Sequence, residues 1–220
     1  MEAGDVYQPA RQRITELVQS LTEEELDTLV PATPLWRVRD LVAHLAGAAT
    51  DVKNGVLEGA ATEPWTAKQV ADRKGHSLAQ LLDEWNEVAP ALEADLPIPQ
   101  LAFDILTHEW DIRGAVDKPG NRGLEEIDWV AQQVTGFIGG RIRKRELPAL
   151  RINAGTDEWL LGDGDPEATL NTETFELFRL GFGRRSEAQV RGYDWTGAGP
   201  DPYLPVVSVF PFATSDVTEP

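Results

Sequence analysis

Cysteine is absent from these 220 residues, which excludes disulfides, thiolate metal ligands and a cysteine nucleophile. Any sulfur chemistry would need a thiol brought by a cofactor. Histidine is scarce, with only His44, His76 and His108, so an imidazole site has few candidates. Positive charge is the minority: 20 Lys and Arg stand against 37 Asp and Glu, a net charge of -17. Such an exterior repels phosphate backbones and anionic membrane surfaces, so neither nucleic acid nor a membrane is an expected partner. No apolar run approaches bilayer-spanning length, and Met1-Glu2-Ala3-Gly4-Asp5 is acidic where a signal peptide would be basic and then apolar. The expected location is cytoplasmic. A phosphate-binding glycine loop, a G-x-S-x-G elbow and a His-Glu-x-x-His pair are also missing; Glu109 follows His108, but Trp110, Asp111 and Ile112 come next.

What is present suits an ordinary globular chain, with 41% hydrophobic and 26% charged residues, enough for one substantial core and a smaller unit. Helical periodicity predicts long helices over 6–21, 37–56, 77–96, 100–116 and 124–145, and a weaker one over 65–73. The stripes are plain: Val38, Leu41, Val42 and Leu45 in the second, Leu78, Leu81, Leu82 and Trp85 in the third. After Pro148 the texture changes. Residues 150–154 alternate, 155–157 form a turn and 158–161 return as a hairpin; 168–170 read as a third strand, 174–180 as a helix and 189–193 as one more short strand. The Pro-rich tail from Gly199 has Val206, Val207, Val209, Phe210 and Phe212 to tie it down. The expected fold class is mainly α: an up-and-down four-helix bundle over 1–147, then a small α+β domain over 148–220. Arg141, Arg143, Lys144 and Arg145 make a basic helix end that reads as solvated.

The chemistry concentrates in 103–114. Asp104, His108 and Asp111 fall at i, i+4 and i+7, along one helix face, flanked by Phe103, Leu106, Trp110 and Ile112. Asp40 and His44 repeat the spacing of Asp104 and His108 on another helix, but Asp40 sits in a first turn, where an acid serves as a cap. A mid-helix histidine taken alone is more often a hydrogen-bonded core residue than a ligand. His44 and His108 with Asp104 would give three protein ligands and an open position, the pattern of a catalytic rather than a structural metal site. A di-iron carboxylate bundle needs an acid-x-x-His pair on each of two helices, and here the spacing is x-x-x. His76, just before a helix, reads as a surface or capping residue.

The stretch from Pro34-Leu35-Trp36 through Asp40 to His44-Leu45-Ala46-Gly47, together with His108-Glu109-Trp110-Asp111-Ile112-Arg113-Gly114-Ala115, resembles the two signature segments of the maleylpyruvate isomerase, mycothiol-dependent family of DinB-like bundles. Residues 69–85, Glu158-Trp159, Phe175-Glu176-Leu177-Phe178 and Gly183-Arg184-Arg185-Ser186 look like members with a small C-terminal domain. The resemblance implies a zinc or other divalent ion held by His44, Asp104 and His108; in the family's best-known branch the acid is glutamate, one methylene longer. Asp111 is then expected to orient an imidazole from behind. The implied activity is metal-dependent activation of a low-molecular-weight thiol, mycothiol, for attack on an electrophilic small molecule, as an isomerase or a transferase. Arg184 and Arg185 would orient an anionic group, or serve as surface charges after a helix. The alternative is a metal-binding or thiol-sensing module without turnover. A monomer or homodimer is expected.

Overall fold

The computed structural model describes all residues, Met1–Pro220, in two compact units: Met1–Gly120 with Glu219–Pro220, and Asn121–Thr218. The first unit holds α1 (Ala3–Gln19), α2 (Glu23–Leu26), β1 (Leu29–Val30), β2 (Thr33–Arg37), α3 (Val38–Lys53), α4 (Glu63–Asp72), α5 (Leu78–Ala94) and α6 (Gln100–Ala115). Caps set the helix starts. The Thr22 hydroxyl accepts from the Glu25 N–H while Glu25 accepts from the Thr22 N–H, and Ser77 and Gln80 repeat the exchange at α5. Asp40 is a cap as expected: its carboxylate accepts from the Arg37 N–H at 2.9 Å and closes the first turn of α3.

Four long helices form the bundle, and the packing pairs are α3 with α5, α1 with α6, α1 with α5, and α3 with α6. Around the bundle the order is therefore α1, α5, α3, α6, so helices consecutive along the chain can lie diagonally. Tyr7 and Trp85 tie α1 to α5 in the core, the indole N–H donating to the phenol oxygen at 2.8 Å. Helix α6 is buried on nearly every side, which is why its apolar residues show no single stripe. From Leu101 to Ile112 only Asp104 keeps appreciable exposure.

The β1–β2 hairpin was not predicted. Pro31 and Pro34 read as chain breaks, yet Pro31 falls in the turn between the strands and Pro34 in a strand of a two-stranded ribbon, whose unpaired outer edge tolerates a missing N–H. The hairpin delivers Trp36 to the start of α3.

The second unit contains α7 (Glu125–Lys144), β3 (Ala149–Ala154), β4 (Asp157–Leu161), β5 (Pro166–Thr172), α8 (Thr174–Gly181), α9 (Glu187–Arg191) and β6 (Asp194–Gly197). The sheet order is β4-β3-β5-β6, with β3 parallel to β5 and the other pairs antiparallel. The expected boundary at 147 follows the change of secondary structure, whereas the compact units divide at Gly120 because α7 packs on α8 and β4. Close approach of α7 and α8 is permitted by Gly181, where an added Cβ would lie 2.5 Å from a Val134 methyl. The strand expected over 189–193 is instead α9. Ser186 accepts from the Gln189 N–H and Gln189 accepts from the Ser186 N–H, a capping box that outweighs a weak alternation. Of the residues expected to hold the tail, Val206 and Val207 are buried while Phe210 is exposed; Tyr203 and Val217 are buried too, and Tyr203 donates its hydroxyl to the Ala149 carbonyl at 3.2 Å. No helix is long and apolar enough to cross a membrane.

Candidate metal centre

His44 lies on α3, and Asp104 and His108 one turn apart on α6, so the contact between these two helices assembles the three groups. Both imidazoles turn Nε2 toward the same carboxylate: His44 Nε2 is 3.2 Å from Asp104 Oδ2, and His108 Nε2 is 3.4 Å from Asp104 Oδ1. The rings meet edge to face with centroids 5.1 Å apart, and the three ligand atoms all lie within 4.8 Å of one another. His44 and His108 are buried, while Asp104 keeps 33% of its side-chain surface and opens the cluster to solvent.

The far side of each ring decides what Nε2 presents. His44 Nδ1 is 2.7 Å from Gln69 Oε1, and the Gln69 amide nitrogen donates to Asp51 Oδ2 at 2.9 Å. A carboxylate only accepts, so Asp51 fixes which way the Gln69 amide faces. The amide oxygen then requires the proton of His44 on Nδ1. Asp111 does the same for His108, its Oδ2 lying 2.9 Å from Nδ1. With both Nδ1 positions committed, each Nε2 in a neutral ring is a lone pair aimed at a carboxylate. Three acceptors facing one another demand positive charge, as a proton on each Nε2 or as a metal cation between them.

The titration directions express the same demand. Burial alone would raise the pKa of Asp104, but the facing charges of His44 and His108 outweigh it and hold the carboxyl well below the usual range. Burial alone would lower that of His108, but Asp104 and then Asp111 reverse it and the net shift is upward.

The donor set fits a divalent ion. Bonds of roughly 2.0–2.2 Å at tetrahedral angles put neighbouring donor atoms about 3.3–3.6 Å apart. The imidazole-to-carboxylate separations, 3.2 Å to Oδ2 and 3.4 Å to Oδ1, are of that order, and one ligand atom from each residue lies within 4.8 Å of the other two. Two nitrogens and one oxygen suit zinc or a neighbouring transition metal rather than magnesium or calcium, which prefer oxygen alone.

Sequence reasoning named His44, Asp104, His108 and Asp111, and the structure brings all four together. It missed Gln69 and Asp51. Gln69 is the one buried residue of α4, with Arg73 holding that helix in place: its guanidinium donates from Nε to Glu84 Oε2 at 2.9 Å and from Nη1 to the Gln69 carbonyl at 3.0 Å. Gly47 makes the approach of α4 to α3 feasible, since a Cβ there would fall 2.7 Å from the Gln69 Cβ and closer still to Arg73. Trp36 was quoted only as part of a family segment; its ring centroid is 5.2 Å from that of His44 and forms an indole wall beside the cluster.

Gln69→Ala and Asp111→Ala are each expected to weaken divalent-metal affinity roughly 10- to 100-fold, because an unbraced imidazole rotates and can swap tautomer. Competition against a metallochromic chelator measures it. Affinity within about twofold of wild type in both variants would show that the Nδ1 partners do not set the ligands.

Arg184 and Arg185 lie in the second unit. Arg185 is buried and its fork embraces Glu176, Nε to Oε2 at 2.6 Å and Nη2 to Oε1 at 2.8 Å, while Nη1 donates to the Arg184 carbonyl. Glu176 also accepts from the Tyr193 hydroxyl at 2.8 Å. Burial would raise the Glu176 pKa, but Arg185 outweighs it and the shift is downward. Arg185 is therefore a buried ion-pair partner of Glu176 and not a surface charge, the second of the two roles its sequence allowed. Arg184 donates to the Phe182 carbonyl at 2.9 Å.

Comparison with curated proteins and with solved structures gives no match. Among protein families, the mycothiol maleylpyruvate isomerase N-terminal domain matches residues 7–100, less than half of the chain. The matched segment holds His44, Asp51 and Gln69 and stops just short of Asp104 and His108. Residues 7–100 are thus similar to the mycothiol maleylpyruvate isomerase N-terminal domain, with His44 and its Gln69 brace inside the match and the remaining donors on the next helix of the same bundle.

Proposed function

We propose that this protein is a divalent-metal-dependent enzyme, with zinc as the expected ion, that activates mycothiol or a similar small thiol for attack on an electrophilic small molecule. The observation that carries the reading is the cluster of two braced imidazoles and a solvent-reaching carboxylate inside a bundle similar to this domain. A divalent ion held there supplies a Lewis acid that lowers the pKa of a thiol brought to its open side.

The chain's own residues do the rest. With Gln69 and Asp111 facing their Nδ1 atoms, His44 and His108 would offer Nε2 to the ion. Asp104 would contribute one negative charge at the solvent side, and two imidazoles with one carboxylate would leave a bound divalent ion with net positive charge for an anionic sulfur. Trp36 gives the cluster an apolar flank suited to the carbon skeleton of an electrophile. The absence of cysteine means that no protein thiol competes with the incoming one.

The test is thiol-dependent turnover. Zinc-loaded protein given mycothiol is expected to isomerise maleylpyruvate or to conjugate monochlorobimane, and to do neither without the thiol or after His108→Ala. After cobalt exchange, mycothiol is expected to change the visible coordination spectrum. Bound metal whose spectrum no thiol perturbs, with no turnover of either electrophile, would replace the enzyme by a non-catalytic metal-binding bundle.

A further inference from the structure

The last turn of α7 carries a basic block in a chain of net charge -17, and the sequence alone suggests no more than a solvated helix end. Its setting is more specific. Arg141, Lys144 and Arg145 form one wall of a cavity of about 700 Å³, whose floor is apolar and includes Leu204, Val209, Phe210 and Phe212. That volume lies within the roughly 300–1,000 Å³ typical of small-molecule sites. Phe210 leaves 42% of its surface uncovered, a large cost for an aromatic residue unless something apolar comes to lie on it.

The polar side of this cavity offers donors and positive charge. Arg141 donates from Nη1 to the Ser208 carbonyl and from Nη2 to the Val209 carbonyl at 3.2 Å, so its charge meets neutral oxygens only. Lys144 and Arg145 make no ion pair and no side-chain hydrogen bond. The Ser208 hydroxyl is spent on the Phe210 carbonyl at 2.7 Å. In a chain with 37 acidic residues, three adjacent cations without a carboxylate partner are not explained by lack of supply. Cations at a helix C-terminus complement the dipole, which accounts for their presence on α7 but not for the apolar floor facing them.

We propose that this cavity is a binding site for a small amphipathic anion: a carboxylate, sulfonate or phosphate head held by Lys144 and Arg145 beside the fixed charge of Arg141, with an apolar body on Phe210 and Val209. Charge-assisted hydrogen bonds supply the head-group contribution, and burial of the aromatic floor supplies the rest. The site lies wholly within the second unit and involves none of the metal-centre residues, so it stands or falls independently of the proposed reaction.

The probe is 1-naphthoate, with neutral 1-naphthalenemethanol as its counterpart, titrated into the full chain by calorimetry and by amide chemical-shift mapping. Naphthoate is expected to saturate, to shift resonances of 141–145 and 204–212, and to bind at least roughly tenfold tighter than the alcohol, the margin of a charged hydrogen bond. Lys144→Gln with Arg145→Gln, both exposed, is expected to abolish that margin while leaving thermal unfolding unchanged. Phe210→Ala is expected to weaken both probes alike. Equal binding of acid and alcohol, full naphthoate affinity in the double variant, or no saturation with either probe at millimolar concentration would each overturn the proposal.

Discussion

Protein purified without chelator is expected to carry about one divalent ion per chain, and His44→Ala or His108→Ala almost none. Each imidazole supplies one of only three protein donors, and neither has a neighbour able to replace it, because His76 is the sole other histidine and Asp111 is bonded to His108 Nδ1. Since loss of an outer partner alone costs roughly 10- to 100-fold in affinity, loss of a donor costs more than that. Asp104→Asn is expected to behave like the histidine variants, since it keeps the shape but removes the charge that a cation between two neutral rings requires. Elemental analysis reads the first result directly. A thermodynamic readout follows: metal at about a thousand times its Kd stabilises the folded protein by roughly 4 kcal/mol, and this increment is expected in wild type and not in the three variants. Full metal retention in both histidine variants would mean that the ion sits elsewhere.

The candidate ligands were legible because a helix writes its faces into residue spacing. Asp104 to His108 is one turn, and a carboxylate and imidazole among Phe103, Leu106 and Trp110 stand out against apolar neighbours. His44 was legible as a candidate ligand from its mid-helix place and its pairing with His108 and Asp104, and the family resemblance strengthened it, for within α3 it has the burial of any core histidine. Gln69 left no such trace. The rest of helix α4 is exposed or half-buried, and a buried glutamine in a surface helix looks like any other until the helix it faces is known. The same holds for Trp36, placed by a hairpin whose prolines argued for a break. Long amphipathic helices were readable because their packing is written locally; α9 was misread because five residues carry too little periodicity to compete with a capping signal.

Glu109 shows the limit most sharply, and it carries the largest expected effect on stability. In the sequence it matters only for failing to complete a zinc motif. It follows Asp104 by five positions, about 140° further round the helix, which turns it away from the metal face and toward α1. There it is 1% exposed, with Arg13 Nε 3.0 Å from both of its carboxylate oxygens and Arg113 Nε 3.1 Å from Oε1. The two arginines, 22% and 13% exposed, both pair with this carboxylate, and Arg113 also donates to the Pro119 carbonyl at 3.0 Å. Glu109→Ala removes the anion and leaves two partly desolvated guanidinium groups to repel each other, a loss expected at about 3–5 kcal/mol. For a chain of this size that corresponds to a fall of roughly 6–20 °C in its melting temperature. Glu109→Gln, which keeps one acceptor oxygen, is expected to fall between. The decisive comparison replaces the whole triad: Arg13→Met, Glu109→Leu and Arg113→Met together remove every charge at once and are expected to recover most of the stability lost in Glu109→Ala, since apolar side chains of similar size fill a buried ion site at little net cost. Recovery would show that the single change is costly because it strands charge. A triple variant as unstable as Glu109→Ala would instead mean that the ion cluster itself holds α1 on α6.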